Sequence, residues 1–158
     1  MNEYAKIKRQ CIPLIICLLA FSGCTMEPNL MESRWVSLTV FYCVGDGKDG
    51  VVQGKKWTTK DKEVLTRLRS AYHEIARRGG MVAGTMTTNK VAITLENGQE
   101  WWLYLFDEHL ASLQGVPNRR PTYHLEINPN FVESLRAEIL RETGETAYFY
   151  YPYEVRIK

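Results

Sequence analysis

The sequence lacks the compositional biases that mark fibrous, disordered and nucleic-acid-binding chains. Its 158 residues include only 11 glycines and 6 prolines, and 45% of them are hydrophobic. A collagen-like or low-complexity chain needs far more glycine and proline, and a disordered chain has fewer apolar residues. Twenty basic and 18 acidic side chains leave a net charge of +2, without the clustered basic excess that phosphate neutralisation requires. We therefore expect one folded domain and no nucleic acid partner.

The motifs of common enzyme classes and metal sites are also missing. The chain contains no G-x-S-x-G elbow and no phosphate-binding G-x-x-x-x-G-K loop. His73, His109 and His124 have neither ligand-like spacing nor a cysteine partner, so we predict no metal site and no cofactor. The one acid/base cluster is Asp107-Glu108-His109, which follows a predicted strand and has the composition of a solvated turn. No catalytic residue is therefore assigned.

The first 23 residues have the layout of an export signal. Lys6, Lys8 and Arg9 precede an apolar run that begins at Cys11. The run is about 13 residues long even when it is extended to Gly23, whereas a helix that spans a bilayer takes roughly 20. A cleaved signal is therefore favoured over a permanent transmembrane anchor.

The apolar run ends at Phe21-Ser22-Gly23-Cys24, where small residues stand directly before a cysteine. Here the sequence resembles bacterial prolipoproteins, whose signal ends in a lipobox with small residues before the cysteine, although Phe21 stands where leucine is usual. The resemblance implies that residues 1–23 are removed and that Cys24 carries the lipid, palmitate among its acyl chains. Membrane attachment through Cys24 in the bacterial cell envelope is thus expected, while the resemblance says nothing about the domain that follows.

The residue after the lipidated cysteine bears on which membrane holds the protein. Lipoproteins of enteric-type bacteria with a residue other than Asp at this place usually go to the outer membrane, and here the residue is Thr25. For a host with two membranes, the resemblance therefore implies the outer membrane.

Loss of the signal would change the charge and the cysteine content of the chain. Three basic residues and one acidic residue leave with it, so the mature domain is formally neutral. Cys11 and Cys17 also leave, and Cys24 is occupied by lipid, so Cys43 has no cysteine with which to form an intramolecular disulfide. We predict that Cys43 is a small core residue. We interpret residues 24–33 as a polar tether and residues 34–158 as one domain.

Hydropathy patterns in that domain predict an α+β fold, with a largely antiparallel sheet of about five to six strands and two helices packed on one face. Strict alternation predicts a strand from Trp35 to Val44, which a glycine-rich loop, residues 45–54, follows. The Thr58/Asp61 pair resembles a helix cap, and apolar residues then recur at helical spacing as far as Arg77-Arg78-Gly79-Gly80. This pattern predicts one long helix.

The second half of the domain is predicted to hold a strand, a helix and a final strand. Alternation predicts a short strand around Tyr123–Ile127. Asn128 and Pro129 are typical of a helix start, and Gly144 is typical of a helix end. The last strand is expected near residues 148–157, where tyrosines cluster around Pro152.

A hairpin between these halves determines which side chains share a face of the sheet. Asn97-Gly98 predicts a two-residue type I′ turn, which pairs Glu96 with Gln99. Residues opposite each other then share a face. On this register Val91, Ile93 and Leu95 lie on one face, and Trp101, Leu103 and Leu105 lie on the other.

If the helices cover the first of these faces, the second is a candidate binding surface formed by Trp101, Leu103 and Leu105. Aromatic and large apolar side chains on an uncovered face suit a protein partner or an envelope glycan. Alternatively, the loop from Asp107 to Pro121 or a second copy of the chain covers that face, so a homo-oligomer remains open.

Taken together, these features favour a lipid-anchored, non-enzymatic binding protein of the bacterial envelope. One alternative is an inhibitor or immunity-type protector against an envelope hydrolase, since small size and a tether suit that role. A second alternative is an envelope hydrolase that uses Asp107, Glu108 or His109 as acid/base groups.

Overall fold

A computed structural model describes residues 29–45, 53–79, 89–116 and 122–149. The predictions for the export signal, Cys24 and most of the last strand lie outside these residues. The described elements, in chain order, are β1 (Trp35–Val44), β2 (Gln53–Thr59), α1 (Lys62–Ala71), β3 (Glu74–Gly79), β4 (Lys90–Leu95), β5 (Glu100–Leu105), β6 (Leu110–Val116), β7 (Thr122–Ile127) and α2 (Pro129–Thr143).

The seven strands form one sheet in the order β2-β1-β4-β5-β6-β7-β3, and every neighbouring pair is antiparallel. Both helices pack on one face, which we call the inner face. The predicted α+β class is confirmed, with seven strands in place of five to six. The additional strands are β2, β3 and β6, which the sequence analysis had assigned to loop or helix.

The long predicted helix is wrong in its second half. Helix α1 ends at Ala71, and Tyr72 is already extended at φ −73° and ψ 121°. Residues 74–79 instead form β3, in which Arg78 pairs with His124 of β7. Apolar residues at 75 and 76 fit a helix as well as a strand, and the backbone hydrogen bonds that β7 offers at its free side favour the strand.

The start of α1 also differs from the predicted cap. Asp61 itself is the N-cap, and its carboxylate accepts hydrogen bonds from the backbone N–H groups of Glu63 and Val64. The residues before it belong to β2, so Thr58 cannot cap a helix and instead contacts Thr39 of β1 through its hydroxyl group.

Helix α2 begins and ends as predicted. The Asn128 side chain accepts a hydrogen bond from the backbone N–H of Asn130, and Pro129 occupies the first turn, where no backbone donor is needed. Gly144 ends the helix at φ 73°, a left-handed conformation that glycine adopts without a side-chain clash. Local signals alone therefore suffice to delimit this helix.

The β4–β5 hairpin forms as expected, but its register differs by one residue. Thr94 pairs with Glu100 and Ile93 with Trp101, so the loop holds three residues, 96–98. Gly98 alone is left-handed, at φ 80°, and its N–H donates to the Leu95 carbonyl over 2.9 Å. This is the usual geometry of a three-residue hairpin loop with its glycine in the left-handed position.

The core lies between the inner face and the two helices. Rings of Trp35, Tyr72 and Phe131 meet edge to face at its centre, with centroids 5.2–6.3 Å apart. Leu30, which the sequence analysis placed in the tether, is 0% exposed and belongs to this core. Cys43 is buried as predicted.

Candidate binding surface

The predicted binding residues do not form an exposed surface. Trp101, Leu103 and Leu105 are 2%, 0% and 1% exposed, and all three lie in the core beneath the helices. The reason is the hairpin register, because a shift of one residue moves every side chain of a strand to the opposite face. The proposed exposure of these three residues is therefore wrong.

The same shift brings a different set of side chains to the outer face of the sheet. Trp102 and Tyr104 lie there, half-buried, beside Phe41 of β1 and Lys90 of β4. We call these four residues the aromatic cluster. Its two larger rings meet edge to face, with centroids 6.2 Å apart. Aromatic residues thus lie on the face that neither described helix covers, but they are not the residues predicted from the sequence.

Lys90 is the centre of the aromatic cluster. Its Nζ atom lies 3.7 Å from the ring centroid of Trp102 and 4.8 Å from that of Phe41. Cation–π attraction of this kind contributes about 0.5–1 kcal/mol at exposed sites. The two rings therefore hold the ammonium group in place above the sheet, where Lys90 is half-buried.

A row of polar side chains crosses the outer face at right angles to the strands. Five of its six members pair with one another directly across neighbouring strands. The sixth, Lys56, pairs with Phe41, which lies beside Lys90. We call this set the cationic row: Lys56, Lys90, Tyr104, Ser112, His124 and Arg78. Adjacent strands lie about 4.8 Å apart, so the backbone of Lys90 is about 10 Å from that of Lys56 and about 19 Å from that of Arg78.

The side chains of the cationic row have no hydrogen bond or ion pair with any other residue that the structure describes. The cations on the helix side differ in this respect. Arg67 contacts Glu138 at 2.9 Å, and Lys55 contacts Glu145 at 3.1 Å.

Polar groups that are exposed on a rigid sheet and have no intramolecular partner are free to meet a ligand. Lys56, His124 and Arg78 are exposed in this way, whereas Ser112 occupies an outer-face position but is only 4% exposed.

Tyr104 supplies a hydroxyl group to the middle of the row. Burial raises the pKa of this phenol above its ordinary value of 10.0. The hydroxyl therefore stays protonated at neutral pH and serves as a hydrogen-bond donor as well as an acceptor.

The row ends in a recess at the β7–β3 edge of the sheet. The recess has a volume of about 440 Å³, and its lining includes Arg78, His124, Ala76, Leu110 and Glu126. Leu110 is 50% exposed and supplies an apolar wall. Glu126 adds a carboxylate to the recess and lies two residues from His124 on the same face of β7. Another outer-face carboxylate, Glu100, lies outside the recess and accepts a hydrogen bond from Trp102.

The alternative acid/base cluster is occupied by structural contacts. Asp107 accepts hydrogen bonds from the backbone N–H groups of His109 and Leu110, both at 2.7 Å, and so shapes the turn between β5 and β6. Glu108 lies 3.3 Å from Arg136 of α2. These contacts match the solvated turn that the composition suggested.

The described segments hold neither a metal-binding cluster nor a helix that could span a membrane. They contain no group of three or more His, Cys, Asp or Glu side chains placed to hold a metal ion. No helix in those segments is long and apolar enough to cross a bilayer. Cys24, the predicted lipidation site, lies before the first described residue.

One signal in the sequence could have located this surface. If residues 96–98 are predicted to form a three-residue hairpin loop with Gly98 in the left-handed position, Trp101 pairs with Ile93 on the inner face. Trp102 then lies on the outer face. Lys56, Arg78 and Ser112 come from β2, β3 and β6, whose positions in the sheet no local pattern reveals.

Compared with known proteins, the chain matches no protein-family model, no curated protein and no solved structure.

Proposed function

We propose that this protein is a lipid-anchored binding protein of the bacterial envelope, and that the outer face of its sheet is the binding surface. The observation that carries the proposal is the cationic row, whose cations Lys56, Lys90 and Arg78 lie on a rigid sheet without ion-pair partners among the described residues. The aromatic cluster beside the row adds contact area that suits recognition.

Anchoring is supported by the lipobox and by the short distance between it and the domain. The described chain begins at Asn29, whose backbone carbonyl already accepts a hydrogen bond from Ser33. Five residue steps separate Cys24 from Asn29, and an extended chain covers at most about 18 Å in that number of steps. A lipid on Cys24 would therefore keep the domain close to the membrane surface.

Binding is a better account of the outer face than catalysis. The row offers cations, hydroxyl groups and an imidazole spread over several strands, whereas acid/base chemistry needs groups that converge on one reacting atom. The acid/base cluster at Asp107 lies in a turn and is used to build that turn.

The anchoring part is tested with the Cys24→Ser variant. We expect wild-type protein to take up a palmitate analogue and to remain in the membrane fraction after a salt wash, and we expect the variant to do neither. Two acyl chains give durable attachment, which explains resistance to the wash. An intact mass that corresponds to an unmodified chain starting at Met1 would overturn this part.

The binding part is tested with photo-crosslinking residues at two exposed positions in living cells. Thr58 lies on the outer face, and Thr66 lies on the exposed side of α1 as the matched control. We expect an adduct of defined mass from position 58 and none from position 66. Equal labelling at both positions, or no adduct at either, would argue against the outer face as the binding surface.

A further inference from the structure

The chemistry of the outer face identifies a class of ligand, on the premise that the proposed binding surface is correct. We propose that the surface binds an anionic glycan, a linear polysaccharide with acidic groups, which lies along the cationic row across the strands. Acidic groups of the glycan contact Lys56, Lys90 and Arg78, and its hydroxyl groups contact Tyr104 and His124.

The charge of the ligand follows from the three cations. Lys56 and Arg78 are exposed, and none of the three has an ion-pair partner in the part of the chain that the structure describes. Glu100 and Glu126, the carboxylates on the part of the outer face that the structure describes, lie off the row. An anionic ligand therefore meets complementary charge along the row itself, which promotes both encounter and correct orientation.

Lys90 is prepared for an acidic group before the ligand arrives. The rings of Trp102 and Phe41 hold its ammonium group at 3.7 and 4.8 Å. A side chain that is already held in place loses less conformational freedom on binding, so more of the interaction energy appears as affinity. We infer that Lys90 is the central contact of the surface.

The shape of the ligand follows from the direction of the row. The row runs from β2 to β3 across all seven strands, a span of about 29 Å at the usual strand spacing. A compact small molecule would contact only part of this length. An extended polymer can place one acidic group at each cation.

A glycan fits the row better than an acidic peptide. Extended peptides typically bind to sheets by pairing their backbone with an edge strand, whereas the backbone groups beneath the row already belong to the sheet ladders. What the face offers is side chains alone, namely hydroxyl groups, aromatic rings and cations. Sugars carry many hydroxyl groups and apolar ring faces, which match the hydroxyl groups and rings of this set.

The recess at the end of the row gives the polymer a defined end or bend. Arg78 and His124 line it together with the carboxylate of Glu126 and the exposed Leu110. A sugar ring can place its apolar face on Leu110 and donate a hydrogen bond from a hydroxyl group to the Glu126 carboxylate, while Arg78 contacts an acidic substituent. The mixed charge of this recess therefore suits a sugar better than a plain polyanion.

The test measures binding of the full chain, purified in detergent, to polygalacturonate and hyaluronate. We expect both acidic polysaccharides to bind, with affinity that falls as salt screens the contacts. Methyl-esterified polygalacturonate keeps the same sugars without the charge, and we expect it to bind at least about tenfold more weakly. Equal binding of the esterified polymer would overturn the role of the cations.

Two triple variants locate the site. Lys56→Gln, Lys90→Gln and Arg78→Gln together should weaken binding at least about tenfold. Lys62→Gln, Arg67→Gln and Arg69→Gln remove the same charge from α1, which packs on the inner face, and should weaken binding less than about twofold. Unfolding curves verify that both triple variants fold. If the triple variant of the row does not fold, the single variants Lys56→Gln and Arg78→Gln, at exposed positions, replace it in the binding measurement.

Poly-glutamate distinguishes a glycan from an acidic protein surface. Poly-glutamate that binds as tightly as the polysaccharides would overturn the assignment to a glycan. Failure of both polysaccharides to bind, together with a crosslink at position 58, would overturn this inference and leave the proposed function standing. Failure of the crosslink as well would remove the binding surface itself.

Discussion

The inner and outer faces of the sheet are built from alternate residues of the same strands, yet they differ in how their side chains are satisfied. On the inner side, large apolar residues are buried and polar side chains pair with one another, as in the hydrogen bond from Trp57 Nε1 to Glu142 over 2.8 Å and the ion pair between Arg67 and Glu138. On the outer side, aromatic residues are half-buried and the cations of the row have no such partners among the described residues. The inner face accounts for stability, and the outer face is available for binding.

Trp101 and Trp102 show this difference within one dipeptide. Trp101 lies in the core, whereas Trp102 lies under the ammonium group of Lys90 on the outer face. The two residues have the same chemistry and nearly the same position in the chain. Only the register of the hairpin assigns them to different faces.

The largest expected effect separates these two tryptophans. Trp101→Ala should lower the free energy of unfolding by about 3–5 kcal/mol, because it leaves a cavity in the core. Trp102→Ala should lower it by about 1 kcal/mol, because the ring is only half-buried. Urea denaturation followed by circular dichroism measures both. The reverse order would mean that the type I′ register is correct and that the faces are exchanged.

A smaller effect is expected at the turn that determines the register. Gly98→Ala should cost about 1–2 kcal/mol, because alanine is strained at φ 80° even though the space around the glycine is open. Asn97→Ala should cost only about 0.5 kcal/mol, through loss of its side-chain hydrogen bond to the Gln99 N–H. In a type I′ turn both positions need positive φ, so similar losses at both would contradict the three-residue loop. Urea denaturation is again the measurement.

The smallest expected effect concerns pH and separates the helix side from the outer face. Backbone N–H groups of Val64 and Glu63 donate to Asp61 and lower the pKa of its carboxyl group below the ordinary 3.8. The folded state therefore gains stability from the ionised cap above that value, and the gain is lost as the pH falls through the lowered pKa. Asp61→Asn, which keeps an acceptor without the charge, should flatten thermal stability below about pH 4.

The outer face supplies the control for that measurement. Lys56→Gln and Arg78→Gln should leave the dependence of thermal stability on pH unchanged, since neither residue has an ionic partner within the described chain. A change as large as that of Asp61→Asn would mean that the row takes part in folding, and the contrast between the two faces would fail.

Some elements could be predicted from the sequence because their signals are local. The cap, the proline and the terminal glycine of α2 act within a few residues of one another, and they indicate the correct start and end. Alternation alone identified β1 and β7. Cys43 was also correctly predicted to be buried.

Other elements could not be predicted because their partners are distant in the sequence. The segment Glu74–Gly79 continues the apolar spacing of α1. It forms β3 because β7, about 50 residues later in the chain, has backbone hydrogen-bonding groups on the side that does not pair with β6. Strand β6 lies in a stretch that was interpreted as a loop, and its place is set by β5 and β7 together. Long-range pairing outweighs weak local preference in each case.

Local sequence patterns were sufficient to predict the α+β class, the second helix and the existence of the hairpin, and they led to the expectation of an anchored binding protein. Which residues face outward depends instead on the pairing of strands across the sheet. The physical reason is that strand side chains alternate with a period of two, so one residue of register, set by the φ of Gly98 and by pairing across the whole sheet, exchanges the core for the surface. The cationic row exists only because residues from six distant segments are brought into line by that pairing.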